Sequence, residues 1–170
     1  MHITQVSPAL VALIVDNLRR VFQVVNEQSK KAEHETGLTG PQLWAIKIIA
    51  ESAPVKVSDL ARKMYLHPAT VVGILDRLEA KGLVERTRSK KDRRVVEVAL
   101  TELGSQIVGQ SPEVVQGRLV KGLEALSYKK LAGISDGLGQ LVKMLGAQEA
   151  PAQLILSPEV NLPRKKKSQA

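Results

Sequence analysis

The sequence predicts a mainly α-helical protein carrying one small β-hairpin, and three observations support this. Apolar residues recur at helical spacing through most of the chain. Two short stretches, Leu83 to Arg88 and Arg94 to Leu100, alternate instead and flank a charged turn. Positive charge gathers there: Lys81 to Arg94 holds 7 basic and 2 acidic residues, whereas residues 1–53 balance at 5 and 5.

The first element opens at Ser7-Pro8, where serine caps and proline suits the first helical position. Leu10, Leu13, Ile14, Leu18, Val21, Phe22 and Val25 form an apolar stripe, and Gly37 supplies a left-handed stop. So long an apolar stripe needs another helix, expected from a second subunit. Thr39 and Gln42 form a capping box before a helix burying Leu43, Ile46, Ile49 and Ala50. Pro54 ends it, Val55 to Val57 is extended, and Ser58 caps a helix holding Leu60, Ala61 and Met64.

A tight turn over Leu66-His67 leads to Pro68, which opens a helix burying Val71, Ile74, Leu75 and Leu78 and ending at Gly82. The two-stranded hairpin follows, with Val96, Val98 and Leu100 on one side. Helix, helix, hairpin is the order of a winged helix-turn-helix. Thr101-Glu102 starts a further long helix, expected to bend near Pro112, and Ser127 caps a last one through Leu131, Ile134, Leu138, Leu141 and Leu145. The implied organisation is a helical dimerisation region at 1–38 and 101–146, a winged helix-turn-helix lobe at 39–100, and a flexible basic tail at 147–170 ending in Arg164 to Lys167.

Composition narrows the functions available. The formal net charge is +8, which fits a polyanionic partner. With Cys 0, disulfides, thiolate metal sites and cysteine redox chemistry are excluded. Aromatics at 2% are too few for a stacking platform on single strands. The apolar run Ala9 to Val15 stops at Asp16, short of the roughly 20 residues that span a bilayer. The start, Met-His-Ile-Thr-Gln, lacks a basic signal region, so a cytoplasmic protein with no membrane partner is expected.

The central module has chemistry suited to double-stranded DNA. The N-terminal end of the second helix of such a pair faces base edges in the major groove. Here it offers His67, Pro68, Ala69, Thr70, Val72 and Gly73, with Arg77 a turn later. Ala69, Val72 and the Thr70 methyl can touch thymine methyls; Gly73 permits close backbone approach; Arg77 can reach a guanine or a phosphate. Few of these side chains read a base through paired hydrogen bonds, so modest discrimination supplemented by DNA shape is expected. The wing adds Arg86, Arg88, Lys90, Lys91, Arg93 and Arg94 as cations for phosphates or a narrow minor groove. Asp92 is read as internal support, accepting hydrogen bonds that fix the turn.

Asp76-Arg-Leu-Glu-Ala-Lys-Gly-Leu-Val-Glu-Arg86, Asp92-Arg-Arg94 and Leu100-Thr101 together resemble the MarR family of bacterial winged helix-turn-helix transcriptional regulators. Leu38-Thr-Gly-Pro-Gln-Leu-Trp44 and Val57-Ser-Asp-Leu-Ala61 extend the likeness, which covers roughly residues 8–146. It implies an obligate homodimer over a pseudo-palindromic operator, with Arg94 reaching the minor groove and Asp92 supporting it. It also implies a repressor released by a small molecule, such as an aromatic acid, bound between the helical and winged parts. The sequence departs from the pattern at Val72 and Gly73, where polar or basic residues are usual, and at His67, which replaces a capping serine. The alternative function is an effector-independent DNA-binding or nucleoid-organising protein.

Other motifs carry less. Glu33-His34-Glu35 resembles a metal tripod, but adjacent helical residues diverge, so no metal and no cofactor are expected. Trp44 could line an effector cleft, although its spacing with Leu43 and Ile46 also fits the core. No nucleophile–base pair or phosphate-binding glycine loop stands out, so an enzyme is not expected.

Overall fold

The computed structural model describes residues 7–150, 152 and 154. Helix α1 runs Pro8–Thr36 between the Ser7 cap, whose hydroxyl accepts from the Leu10 amide, and Gly37 in the left-handed region at φ 68°. Helix α2, Gly40–Ser52, starts where Gln42 Oε1 accepts from the Thr39 N–H at 3.2 Å. Leu43, Ala45, Ile46, Ile48 and Ile49 are all buried, so α2 is apolar almost all round and forms the axis of the core. Its last turn leaves the core before Ala50, which is exposed rather than buried as expected.

Strand β1, Val55–Lys56, follows, then helix α3, Val57–Lys63, and helix α4, Pro68–Ala80. Strands β2, Val84–Arg88, and β3, Val96–Leu100, form the hairpin. The sheet has three strands rather than two, in the order β1-β3-β2 and antiparallel throughout. Lys56 pairs with Glu97, which holds it extended as the N-cap of α3. The helix therefore begins one residue before Ser58, and Ser58 is not the cap. Leu60, Met64, Val71, Ile74, Leu75, Leu78, Leu83, Val84 and Val98 close the core around α2. Val96 lies nearer the wing tip and is exposed, unlike Val98 on the same strand.

Helix α5, Glu102–Gln110, is capped by Thr101, whose hydroxyl accepts from the Gly104 amide at 3.1 Å and donates to the Gly82 carbonyl at 2.6 Å. The expected bend at Pro112 is a full break. Ser111 adopts ψ 147°, the extended backbone that a following proline favours. Helix α6, Val115–Glu124, and helix α7, Tyr128–Met144, bury none of their own residues within this chain. Residues 151, 153 and 155–170 lie outside the described part, and with them the expected basic tail end. Leu154, by contrast, is half-buried and packs on the core. Among the described residues no helix is long and apolar enough to cross a membrane.

Candidate nucleic-acid interface

Two elements present the candidate surface, and each is held from behind. The inner face of α4 sinks Val71, Ile74, Leu75 and Leu78 completely. This leaves His67, Pro68, Ala69 and Arg77 exposed, with Thr70, Val72 and Gly73 half-buried. His67 caps the helix, its Nδ1 accepting from the Ala69 N–H at 3.2 Å. At the other end the Gly82 N–H donates to Glu79 O and the Leu83 N–H to Leu78 O, a Schellman closure with Gly82 at φ 69°.

The turn into α4 sits on Met64-Tyr65 rather than Leu66-His67. Tyr65 takes a left-handed conformation at φ 52°, uncommon for a side chain this large. Its hydroxyl donates to Glu124 Oε1 on α6 at 2.7 Å, and the carboxylate raises the phenol above its ordinary value. This strut between the turn and α6 has no local signature, because Tyr65 and Glu124 are far apart in the chain.

The wing is a tight loop. The Ser89 N–H donates to Val95 O and the Val95 N–H to Asp92 O, both at 2.9 Å. Asp92 Oδ1 accepts from the Arg94 amide at 2.9 Å, while Ser89, itself buried, accepts from the Lys91 amide at 3.3 Å. Asp92 thus ties its carboxylate to the Arg94 amide within the turn. Arg88, Lys90, Lys91, Arg93 and Arg94 are all exposed, and among the described residues none of the five joins an ion pair. Five unpaired like charges on one strand end and the loop after it favour a polyanion.

Arg86 is a correction to the expected set of wing cations. Its Nη1 donates to Asp76 Oδ1 at 2.9 Å and its Nε to Glu79 Oε2 at 3.1 Å, with a further short contact from Nη2 to Glu79. The guanidinium is three-quarters covered and joins β2 to the outer side of α4. Its hydrogen bonds hold the Glu79 carboxyl below the usual range, against the opposing effect of burial. Lys81 is likewise engaged, its Nζ donating to Gly37 O at the C-terminus of α1 at 2.9 Å. The basic run of the sequence thus divides into two internal ties and five outward cations.

A supported helix with an exposed N-terminal end, followed by a cationic wing, defines a winged helix-turn-helix DNA-binding module. Comparison with known proteins makes the class specific. A profile of the MarR family matches residues 38–96. The transcriptional repressor MdtR of Bacillus subtilis is 33% identical over 112 residues, spanning 66% of this chain and 70% of MdtR. Among solved structures, a MepR-like protein complexed with pseudoligands is similar at 28% identity and TM-score 0.51, over 82% of this chain and 96% of that one. FabT of Streptococcus pneumoniae, solved in complex with DNA, is similar at 25% identity and TM-score 0.50, over 80% and 97%. The chain belongs to the MarR family: it is a transcriptional regulator with a DNA-binding winged helix, and not an enzyme.

Proposed function

We propose that the protein is a dimeric repressor that binds a pseudo-palindromic double-stranded DNA site and leaves it when a small molecule binds. Residues 39–100 act as the DNA-binding lobe, and the helices on either side as the dimerisation region. The observation that supports the DNA reading most is the set of five exposed, unpaired cations on a wing whose turn is fixed by Asp92. In the complex Arg94 enters the minor groove, Arg88, Lys90, Lys91 and Arg93 meet phosphates, and the exposed end of α4 reads the major groove. His67, Pro68, Ala69, Thr70, Val72, Gly73 and Arg77 supply that reading surface. Arg86 is left out of the contact set because its donors are engaged by Asp76 and Glu79. Repression is supported by the likeness to MdtR, and DNA and ligand binding by the likeness to FabT and the MepR-like protein.

Fluorescence anisotropy on a duplex from the regulator's own promoter tests the reading. Arg94→Ala should weaken binding strongly and lower the slope of log affinity against log salt by about one for each lobe. Asp92→Ala makes the wing more positive, yet should weaken binding by loosening the turn. Equal affinity for every duplex, untouched by Arg94→Ala, would remove the wing from the mechanism and favour an effector-independent DNA organiser.

A further inference from the structure

Helix α4 packs on α2, α3 and β2, all inside the DNA-binding lobe. Apolar contacts press a helix down without fixing its angle, since the hydrophobic effect is non-directional. Hydrogen bonds are directional, and two of them tie opposite ends of α4 to helices outside the lobe. In the turn before α4, Tyr65 donates to Glu124 Oε1, on the last residue of α6, at 2.7 Å. At the far end Lys81, the C-cap of α4, donates from Nζ to Gly37 O at 2.9 Å, where α1 ends.

Neither residue is explained by packing. Tyr65 is 67% exposed, so its ring does not fill the core. It also occupies the left-handed region at φ 52°, where glycine would stand without strain. What tyrosine adds at that position is a phenol long enough to reach α6. Lys81 is exposed as well, and its ammonium meets a carbonyl at the C-terminal, electronegative end of α1. An open cleft of about 340 Å³ lies between α4 and that end of α1, lined in part by Glu33, Gln42, Arg77 and Lys81. Close packing therefore does not hold this end of the reading helix against α1, and the lysine bridges the gap. Both hydrogen bonds are exposed, and exposed bonds contribute little to global stability. Two anchor points, one at each end, nevertheless define the direction of a rod.

We propose that Tyr65 and Lys81 are positioning residues that fix the angle of α4 to the dimerisation helices, and so set the half-site spacing the protein accepts. They act through geometry, without touching DNA. The inference rests on the dimeric, DNA-binding reading above. In a dimer the two reading helices enter major grooves one helical turn, or a multiple of it, apart. One inserted base pair moves a half-site by about 3.4 Å and rotates it by about a tenth of a turn. A helix anchored at both ends rejects that change, whereas one released at its ends follows it.

Fluorescence anisotropy of full-length wild type, Tyr65→Phe, Lys81→Met, the double variant and Tyr65→Gly tests this on a set of duplexes. One carries the regulator's own promoter site, others have a base pair inserted or removed at its centre, and the last keeps a single half-site. Wild type should bind the natural spacing at least about tenfold more tightly than the altered ones, because simultaneous engagement fails there. That ratio should fall about threefold in each single variant and approach one in the double variant, the two effects adding in free energy. Single-half-site affinity and salt slope should stay close to those of wild type throughout. Tyr65→Gly keeps the left-handed turn, so it should lose the ratio as far as Tyr65→Phe does, which assigns the effect to the hydroxyl. A ratio as sharp in the double variant as in wild type would overturn the positioning role. Loss of single-half-site affinity in step with the full site would also overturn it, and would make the two residues DNA contacts. A wild type indifferent to spacing would overturn it through the dimeric reading, and sedimentation of the same samples separates that outcome from the others.

Discussion

Arg86 shows how a residue of the right charge at the right place can belong to the scaffold instead of the surface. It donates to Asp76 and Glu79, one turn apart on α4, so it fixes the angle between that helix and the wing. Because Glu79 is held below its ordinary value, its contribution to stability is complete above the unfolded glutamate pKa of about 4.3 and is lost as pH falls through the native value. The carboxylates are about two-fifths exposed, which limits the effect through solvent screening. Arg86→Met should destabilise the protein by about 1 kcal/mol at neutral pH, and its thermal midpoint should fall less steeply than that of wild type in acid. Parallel acid profiles for the two proteins would show that the bridge does not couple to folding. The same substitution separates support from contact: it should leave the salt slope of DNA binding unchanged, because none of the five outward cations is touched.

At the scale of elements, glycines in one helix play opposite parts. A Cβ at Gly104 would stand 2.1 Å from the Leu83 carbonyl oxygen, a backbone atom that cannot move aside, whereas one at Gly109 meets nothing within 4 Å. Gly104→Ala should destabilise by about 1–3 kcal/mol through overpacking. Gly109→Ala should stabilise α5 by up to about 1 kcal/mol. Urea unfolding of the two variants checks this, and a Gly104→Ala protein as stable as wild type would mean that α5 packs less closely on Leu83. Local chemistry explains what the sequence disclosed and what it hid. Ser7, Gly37, Gly82 and Thr101 act on neighbours a few residues away, so the helix ends they set were readable, as were the four buried positions of α4. The extended backbone at Val55 to Val57 was legible, but its pairing as strand β1 with Val98 and Glu97, some forty residues on, was not. The same holds for Tyr65 with Glu124 and for Arg86 with Asp76. The cations of the wing were legible from composition; which were already engaged was not.

For the whole molecule, the apolar surface that remains is too extensive for a solitary chain. Leu10 is 56% exposed, Phe22 64%, Leu138 53% and Leu145 82%, on the first and last helices. Exposed apolar side chains in this number mark an interaction surface, and each contributes about 1.5–3 kcal/mol when covered. A second copy is the natural cover, since helices from both termini can exchange these faces about a twofold axis. Leu138 lies outside the core cluster around α2, so Leu138→Glu should leave the unfolding of the DNA-binding lobe intact while placing a charge in the proposed dimer interface. The variant should sediment as a monomer at micromolar concentration where wild type is a dimer. Its affinity for a two-half-site duplex should drop by about a hundredfold or more as the second lobe ceases to be tethered, while affinity for a single half-site barely changes. A Leu138→Glu protein that stays dimeric would assign the contact to other helices, and a wild type that sediments as a monomer would leave the apolar faces of α1 and α7 needing a different partner.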